Sequence, residues 1–171
     1  MIVTQIIRLL QLLGLLALQV LFMNHIQLFG YAIPLVYVAF LIYFPANASR
    51  TEILLWSFAM GLAVDAFSNT PGIASGAMTL AGMIRPPLLN SMLSKDEPDN
   101  AVPSFHTMGT WTHIRFIFIL IVIHHILFFA LESFSFVNLK DIAISWAGTV
   151  LLTLFVVIAM EAFRGNKPQN K

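Results

Sequence analysis

The sequence GLAVDAFSNTPGIASG, at positions 61–76, determines how two apolar segments of the chain pack against each other. In a helical reading, Gly61 and Asp65 lie on one stripe of the first segment, and Gly72 and Gly76 form a G-x-x-x-G pair at the start of the next. Small residues allow two helix backbones to approach closely in lipid. Because the connection between the segments is very short, we predict a tight antiparallel helical hairpin with Asp65 near its turn.

The composition of the chain indicates an all-α integral membrane protein. Of its 171 residues, 58% are hydrophobic and 10% are charged, and the mean hydropathy is +0.85. Soluble domains carry about 25% charged residues. The absence of cysteine excludes disulfides, thiolate metal sites and a cysteine nucleophile. The nine lysine and arginine residues are scattered, so nothing indicates a nucleic-acid partner.

Six apolar segments separated by short connections predict about six transmembrane helices, since a helical span needs about 20 residues. The segments are Leu9–Phe29, Tyr31–Phe44, Arg50–Phe67, Gly72–Leu89, His113–Phe136 and Leu139–Phe163. We therefore predict a single six-helix transmembrane domain over residues 1–164 and a polar cytoplasmic tail over residues 165–171.

The positions of lysine and arginine predict the orientation of these helices. Cytoplasmic ends of membrane helices are enriched in both residues. If the N-terminus is cytoplasmic, Lys140 is the one such residue on the outside, and the other eight lie inside: Arg8, Arg50, Arg85, Lys95, Arg115, Arg164, Lys167 and Lys171. This asymmetry predicts that both termini are cytoplasmic, and that the polar connection 94–112 is cytoplasmic as well.

Asp65 is the ionisable residue most indicative of a site. A carboxylate in or near the membrane is costly unless it has a partner. It can cap the start of the following helix, contact a partner protein, or take part in proton or substrate chemistry, and these three interpretations stay open.

Arg85 and the two prolines that follow it mark the end of the fourth segment. The long side chain of Arg85 is expected to extend to the cytoplasmic interface. The pair Pro86-Pro87 is expected to end the helix, because proline lacks a backbone donor and restricts the residue before it.

The remaining ionisable residues do not form a recognisable catalytic or metal-binding pattern. His124 and His125 are adjacent on a helix and point in diverging directions, whereas zinc requires convergent ligands. We expect these histidines to be hydrogen-bonded within the bundle, and Glu161 and Arg164 to form a solvated pair. No phosphate-binding loop or nucleophile motif occurs in the sequence. We therefore predict no enzymatic activity, no metal and no cofactor.

The run Gly61-Leu-Ala-Val-Asp65, followed by Thr70-Pro71-Gly72 and a helix of small residues, resembles the signature of the rod shape-determining protein MreD family. The chain length, the spans and the minimal loops are also similar, and Ile84-Arg85-Pro86 matches the ending seen in some members. The resemblance assigns a family-motif role, in helix packing or partner contact, to Gly61, Asp65, Pro71, Gly72, Gly76, Arg85 and Pro86.

The resemblance implies a non-enzymatic scaffold of the cell-elongation complex in the bacterial inner (plasma) membrane. Members of that family bind the bitopic protein MreC and help couple MreB to peptidoglycan synthesis by RodA and a penicillin-binding protein. Members of the family are surrounded by membrane lipid. The resemblance also allows the chain to form a homo-oligomer.

The MreD family also resembles, in fold, the S component of energy-coupling-factor transporters, so the alternative is a substrate-binding subunit of a vitamin transporter. That alternative requires a polar, aromatic-lined cavity that opens outward near Asp65, Asn24, His25 and Glu132. A third reading, an intramembrane enzyme, requires His124 and His125 to converge with an acidic group.

Overall fold

A computed structural model describes residues 2–28, 30, 32–94, 98, 100–133 and 139–164. The described chain is helical and contains no β-strand. Its α-helices are α1 (Ile2–Leu21), α2 (Arg50–Ser68), α3 (Ile73–Met92), α4 (Phe105–Met108), α5 (Thr110–Glu132) and α6 (Leu139–Arg164). Two 3-10 helices, Met23–His25 and Val36–Tyr43, lie between α1 and α2. The predicted polar tail at 165–171 lies outside the described residues.

Among the residues that the structure describes, four helical stretches are long and apolar enough to cross a membrane. They are Ile2–His25, Arg50–Ser68, Thr110–Glu132 and Lys140–Arg164. The prediction of an all-helical, membrane-type chain is therefore confirmed at this level. α3 has 20 residues and is about 30 Å long at the usual rise, but it is less apolar than these four.

The predicted second transmembrane helix, Tyr31–Phe44, differs from the observed structure. Regular structure there is the 3-10 helix Val36–Tyr43, whose 8 residues span about 16 Å, half the thickness of a bilayer core. Every residue from Val36 to Ile42 is buried, because α1, α2, α3, α5 and α6 surround the segment. A segment that is apolar on all sides belongs inside protein or inside lipid, and hydropathy does not separate the two. We call Val36–Tyr43 the central segment.

The prediction that Pro86-Pro87 ends the fourth helix is wrong. Both prolines lie inside α3, which continues to Met92. The two prolines remove two backbone donors, but Leu89 beyond them is fully buried in the core. Its carbonyl also accepts the N–H of Leu93 at 2.8 Å. Tertiary packing of the last turn therefore maintains the helix across the proline pair.

The hairpin of α2 and α3 forms as predicted. Ser49 caps α2, because its hydroxyl accepts the backbone N–H of Glu52 at 3.2 Å. Asn69 ends α2 in the left-handed conformation, at φ 56°, and Gly72 precedes α3 at φ 85°. These two left-handed residues reverse the chain within a few residues, which brings the start of α3 against the end of α2.

Candidate functional site

Asp65 closes the hairpin by capping α3 from the end of α2. Its carboxylate accepts the backbone N–H groups of Gly72 at 3.1 Å, Ala74 at 2.8 Å and Ser75 at 2.9 Å. It also accepts the hydroxyl groups of Thr70 at 2.9 Å and Ser75 at 2.7 Å. The first N–H groups of a helix lack internal partners and attract negative charge. Asp65 is 4% exposed and all its lone pairs are engaged, so the structure places it in the capping role.

Two glycine–serine contacts bring the backbones of α2 and α3 together. A β-carbon on Gly61 would lie 2.3 Å from Cα of Ser75, so the two backbones touch at this point. One turn earlier on α2, Ser57 is fully buried, and its hydroxyl would lie 2.6 Å from a β-carbon on Gly82 of α3. Each helix therefore contributes one glycine and one serine.

The predicted G-x-x-x-G pair does not form the contact between α2 and α3. A β-carbon on Gly72 would meet nothing within 4 Å, so the positive φ is the requirement for glycine there. Gly76 faces α5 instead, where its β-carbon would lie 3.0 Å from the Leu131 side chain. Pro71 is exposed in the turn. Sequence reasoning missed Gly82, because a single glycine in an apolar helix gives no signal of what it packs against.

Arg85 is buried inside the bundle, so the expectation that it extends to the interface is wrong. The residue is 0% exposed. Its Nε donates to the carbonyl of Leu41 at 2.5 Å, and its Nη2 donates to the carbonyl of Phe44. Both carbonyls lie at the end of the central segment, where a helix has unsatisfied acceptors and favours a cation. Pro86, the next motif residue, is half-buried inside α3.

A second buried arginine lies at the same end of the central segment. Arg8 of α1 pairs with Glu52 of α2, with Nε 3.0 Å from Oε1. Its guanidinium lies 4.1 Å from the centre of the Phe44 ring, and that of Arg85 lies 5.9 Å from it. Gln5 donates to the same oxygen of Glu52 at 3.0 Å. Glu52 therefore links α1 to α2.

Glu161 and Arg164 belong to a buried network, which corrects the expectation of a solvated pair. Glu161 is 1% exposed, and its Oε2 lies 2.9 Å from Nε2 of the buried His113. Arg164 donates to the other carboxylate oxygen at 2.6 Å and to the carbonyl of Pro103 at 2.9 Å. The guanidinium also lies 4.7 Å from the ring centre of Tyr43. The network joins α5, α6, the central segment and the polar connection.

The two adjacent histidines of α5 have different surroundings. His125 is hydrogen-bonded within the bundle as expected, to the carbonyl of Ile121 at 2.8 Å and to Thr153 at 3.1 Å. His124 meets the ring of Tyr37 edge-on at 5.2 Å, and neither ring nitrogen has a partner within the described chain. Among the described residues, no group of three His, Asp or Glu side chains is arranged to hold a metal ion.

A cavity of about 700 Å³ opens at the end of the bundle where the α2–α3 turn lies. It lies between the ends of α1, α2 and α5 and the start of α6. Aromatic side chains line part of it: Tyr37, Phe67, Phe128 and Phe129. Aliphatic side chains line a second part: Val20, Ile33, Leu35 and Val64. The polar side chains among the lining residues include Gln19, Asn24, Ser68, Thr70, Ser145 and Thr149. This volume falls within the usual range for small-molecule sites, about 300–1,000 Å³.

The cavity contains three of the four residues expected of an outward-facing site. Asn24, His25 and Glu132 line it. Asp65 does not line the cavity, because its carboxylate is turned into the start of α3. The sequence missed Gln19 and Tyr37, which lie at its deep end and are both 0% exposed. The sequence shows only that Gln19 is a glutamine inside an apolar helix and that Tyr37 is a tyrosine inside an apolar run, and neither pattern indicates a cavity.

Gln19 starts a chain of hydrogen bonds along the cavity wall. Its Nε2 donates to the carbonyl of Pro34 at 3.0 Å and to Oδ1 of Asn24 at 2.8 Å. Asn24 in turn donates to the hydroxyl of Ser68 at 3.0 Å. The wall is therefore a fixed polar surface joining α1 to α2.

In comparisons of the chain with protein-family models, with curated proteins and with solved structures, no match was found.

Proposed function

We propose that the chain is a non-enzymatic membrane scaffold of the bacterial cell-elongation complex, of the MreD type, and that it binds an MreC-like bitopic protein. The observation that carries this proposal is the engagement of Asp65 and Arg85, the two charged motif residues, in internal hydrogen bonds. Both residues stabilise the packing of the helices against one another. Because these charged groups are engaged internally, we infer that the protein acts through the helix faces that it exposes to lipid.

Exposed apolar faces are present on the outermost helices. Ile6, Leu10 and Leu13 of α1 are exposed at helical spacing, as are Leu151 and Phe155 of α6. Such faces accept either lipid tails or a single-spanning helix. We propose that an MreC-like helix occupies one of them, and that MreB, RodA and a penicillin-binding protein are linked indirectly. The surroundings of His124 and His125 give no support to the hypothesis of an intramembrane enzyme.

We further propose that the chain crosses the inner membrane with both termini in the cytoplasm. Two neighbouring rings at the end of the central segment support this topology. Arg8, near the start of α1, lies over Phe44, and Arg164, at the end of α6, lies over Tyr43. The start of α1 and the end of α6 therefore lie on the same side of the bundle. With the N-terminus inside, the cavity opens to the exterior.

The absence of native cysteine allows this topology to be tested by labelling single-cysteine variants in intact cells with a membrane-impermeant maleimide. Lys140→Cys, at the exposed start of α6, is expected to react, whereas the exposed Asn47→Cys is expected to react only after the cells are opened. If Asn47→Cys reacted in intact cells and Lys140→Cys did not, the orientation in the membrane would be the opposite of the one proposed.

Mild-detergent purification from native membranes, followed by mass spectrometry of the bound proteins, tests the scaffold. Recovery of an MreC-like bitopic protein or a peptidoglycan synthase is the expected result. Recovery of ATPase subunits with a coupling membrane protein would overturn it.

The cavity supports a second candidate function, a substrate-binding subunit similar to the S component of a vitamin transporter. A compact scaffold needs no solvent-accessible site of about 700 Å³ with mixed aromatic and polar walls. The same purification separates the two candidates, because they differ in the proteins that accompany the chain.

A further inference from the structure

Two buried polar atoms at the cavity have no partner in the described part of the chain. They are Oε1 of Gln19 and the hydroxyl oxygen of Tyr37. Both residues line the cavity and both are fully buried. A buried polar atom without a hydrogen bond is unfavourable, and such atoms concentrate where a ligand or a bound water completes the bonding.

The hydrogen bonds of Gln19 determine which kind of partner its free atom needs. The carbonyl of Pro34 is an acceptor only, so the amide nitrogen of Gln19 must face it. The free atom is therefore the amide oxygen, which requires a donor. The hydroxyl of Tyr37 can donate or accept. A ligand that satisfies both atoms carries at least one N–H or O–H group at its deep end.

The charges around the cavity restrict the ligand further. Glu132 and His25 are the ionisable side chains among the described residues that line it, and no lysine or arginine is found among them. Lys140, at the exposed start of α6, does not line the cavity. Anion sites require cationic side chains or helix N-termini. Two of the described helices begin at this end: the N-terminus of α3 is already occupied by Asp65, and the first turn of α6 carries the acidic Asp141.

The aromatic lining favours a cation instead. Tyr37, Phe67, Phe128 and Phe129 are contributed by three different parts of the chain, and aromatic faces attract ammonium groups. We propose that the cavity is a binding site for a small organic ammonium ion whose N–H group donates to Oε1 of Gln19. Glu132, at the exposed edge, attracts the same charge. The proposal deepens the second candidate function, and a ligand-binding scaffold is equally compatible with it.

The test uses the full-length protein in detergent, with one cysteine introduced into the cavity wall by Ser145→Cys. Labelling of this thiol by a maleimide is followed with three probes of similar size: benzylammonium, benzyl alcohol and benzoate. Benzylammonium at ten times its dissociation constant is expected to slow labelling about tenfold, by simple occupancy of the site. Benzoate is expected to have no effect.

Two further variants separate binding from general effects. Ile144→Cys lies next to Ser145 but lines a different, apolar groove, and benzylammonium is expected to leave its labelling rate unchanged. In the Ser145→Cys background, Glu132→Gln is expected to weaken protection by benzylammonium. Glu132 is exposed, so this variant does not threaten folding.

Equal protection by benzyl alcohol or benzoate would overturn the assignment of a cation site, and the absence of protection by any probe would overturn the site itself. Neither result bears on which proteins co-purify with the chain. Failure of this proposal is therefore distinguishable from failure of either proposed function.

Discussion

Gly61 of α2 lies against the backbone of Ser75 in α3, with no space for a β-carbon between them. The contact is one turn from Asp65, which caps the same first turn of α3. Close backbone approach and charge capping therefore both involve the first turn of α3 around Ser75, so a substitution at Gly61 or at Asp65 should disturb both interactions.

Gly61→Ala is expected to destabilise the protein by about 1–3 kcal/mol, because the added methyl group must displace backbone rather than a flexible side chain. Thermal unfolding in detergent measures the loss. Gly14→Ala on α1 is the matched control, since a β-carbon there meets nothing within 4 Å. It should be neutral or stabilise by up to about 1 kcal/mol. Equal effects of the two variants would contradict the close contact.

Asp65→Asn keeps the shape of the side chain and removes its charge. The amide keeps one acceptor oxygen, but its NH2 group replaces the other and faces groups at the start of α3 that are themselves donors, so part of the cap is lost. We expect a loss of about 3 kcal/mol in stability, as for hydrogen bonds to a buried charge. Asp141→Asn, in the exposed first turn of α6, is expected to change stability by less than about 1 kcal/mol. Partner recovery by co-purification should fall in proportion to folded protein, and a folded variant with a specific loss of transport would contradict the structural role.

Arg85→Lys tests whether geometry or charge is required at the central segment. A lysine has one ammonium group and cannot reproduce the separate Nε and Nη2 donors that reach Leu41 and Phe44. We expect the free energy of unfolding to fall by at least about 2 kcal/mol. One buried carbonyl loses its donor, and the buried positive charge is held less favourably. The exposed Arg50→Lys should lie within about 0.5 kcal/mol of the parent. Indistinguishable melting of both variants would show that charge alone suffices.

Glu161→Gln is expected to loosen the polar connection without unfolding the bundle. The carboxylate holds Arg164, and Arg164 holds the carbonyl of Pro103, so the variant releases the connection from α6. Limited proteolysis should cut residues 98–109 faster in the variant. Arg115→Gln, an exposed residue of α5, should leave the cleavage rate unchanged. Equal cleavage of all three proteins would mean that the connection is held by other contacts.

The sequence was most informative where interacting residues are close along the chain. Asp65 and the hairpin turn could be read directly, because the carboxylate and the N–H groups that it accepts lie within ten residues. The positions of Arg85 and Glu161 could not. Their partners, Leu41 and His113, are 44 and 48 residues away, and the segment around Leu41 has the hydropathy of a lipid-facing span. Cavity-lining residues such as Gln19 could not be predicted for the same reason, because a cavity is formed by elements that are distant in sequence and meet only in the folded structure.

The central segment has a consequence for biosynthesis. The backbone N–H of Leu35, just before it, donates to the hydroxyl of Thr153 in α6 at 2.9 Å, and Arg85 of α3 holds its other end. Thr153 is therefore synthesised more than a hundred residues after the segment that it contacts. Because the segment is too short to cross the bilayer unaided, we expect it to stay incompletely packed until α6 has been synthesised.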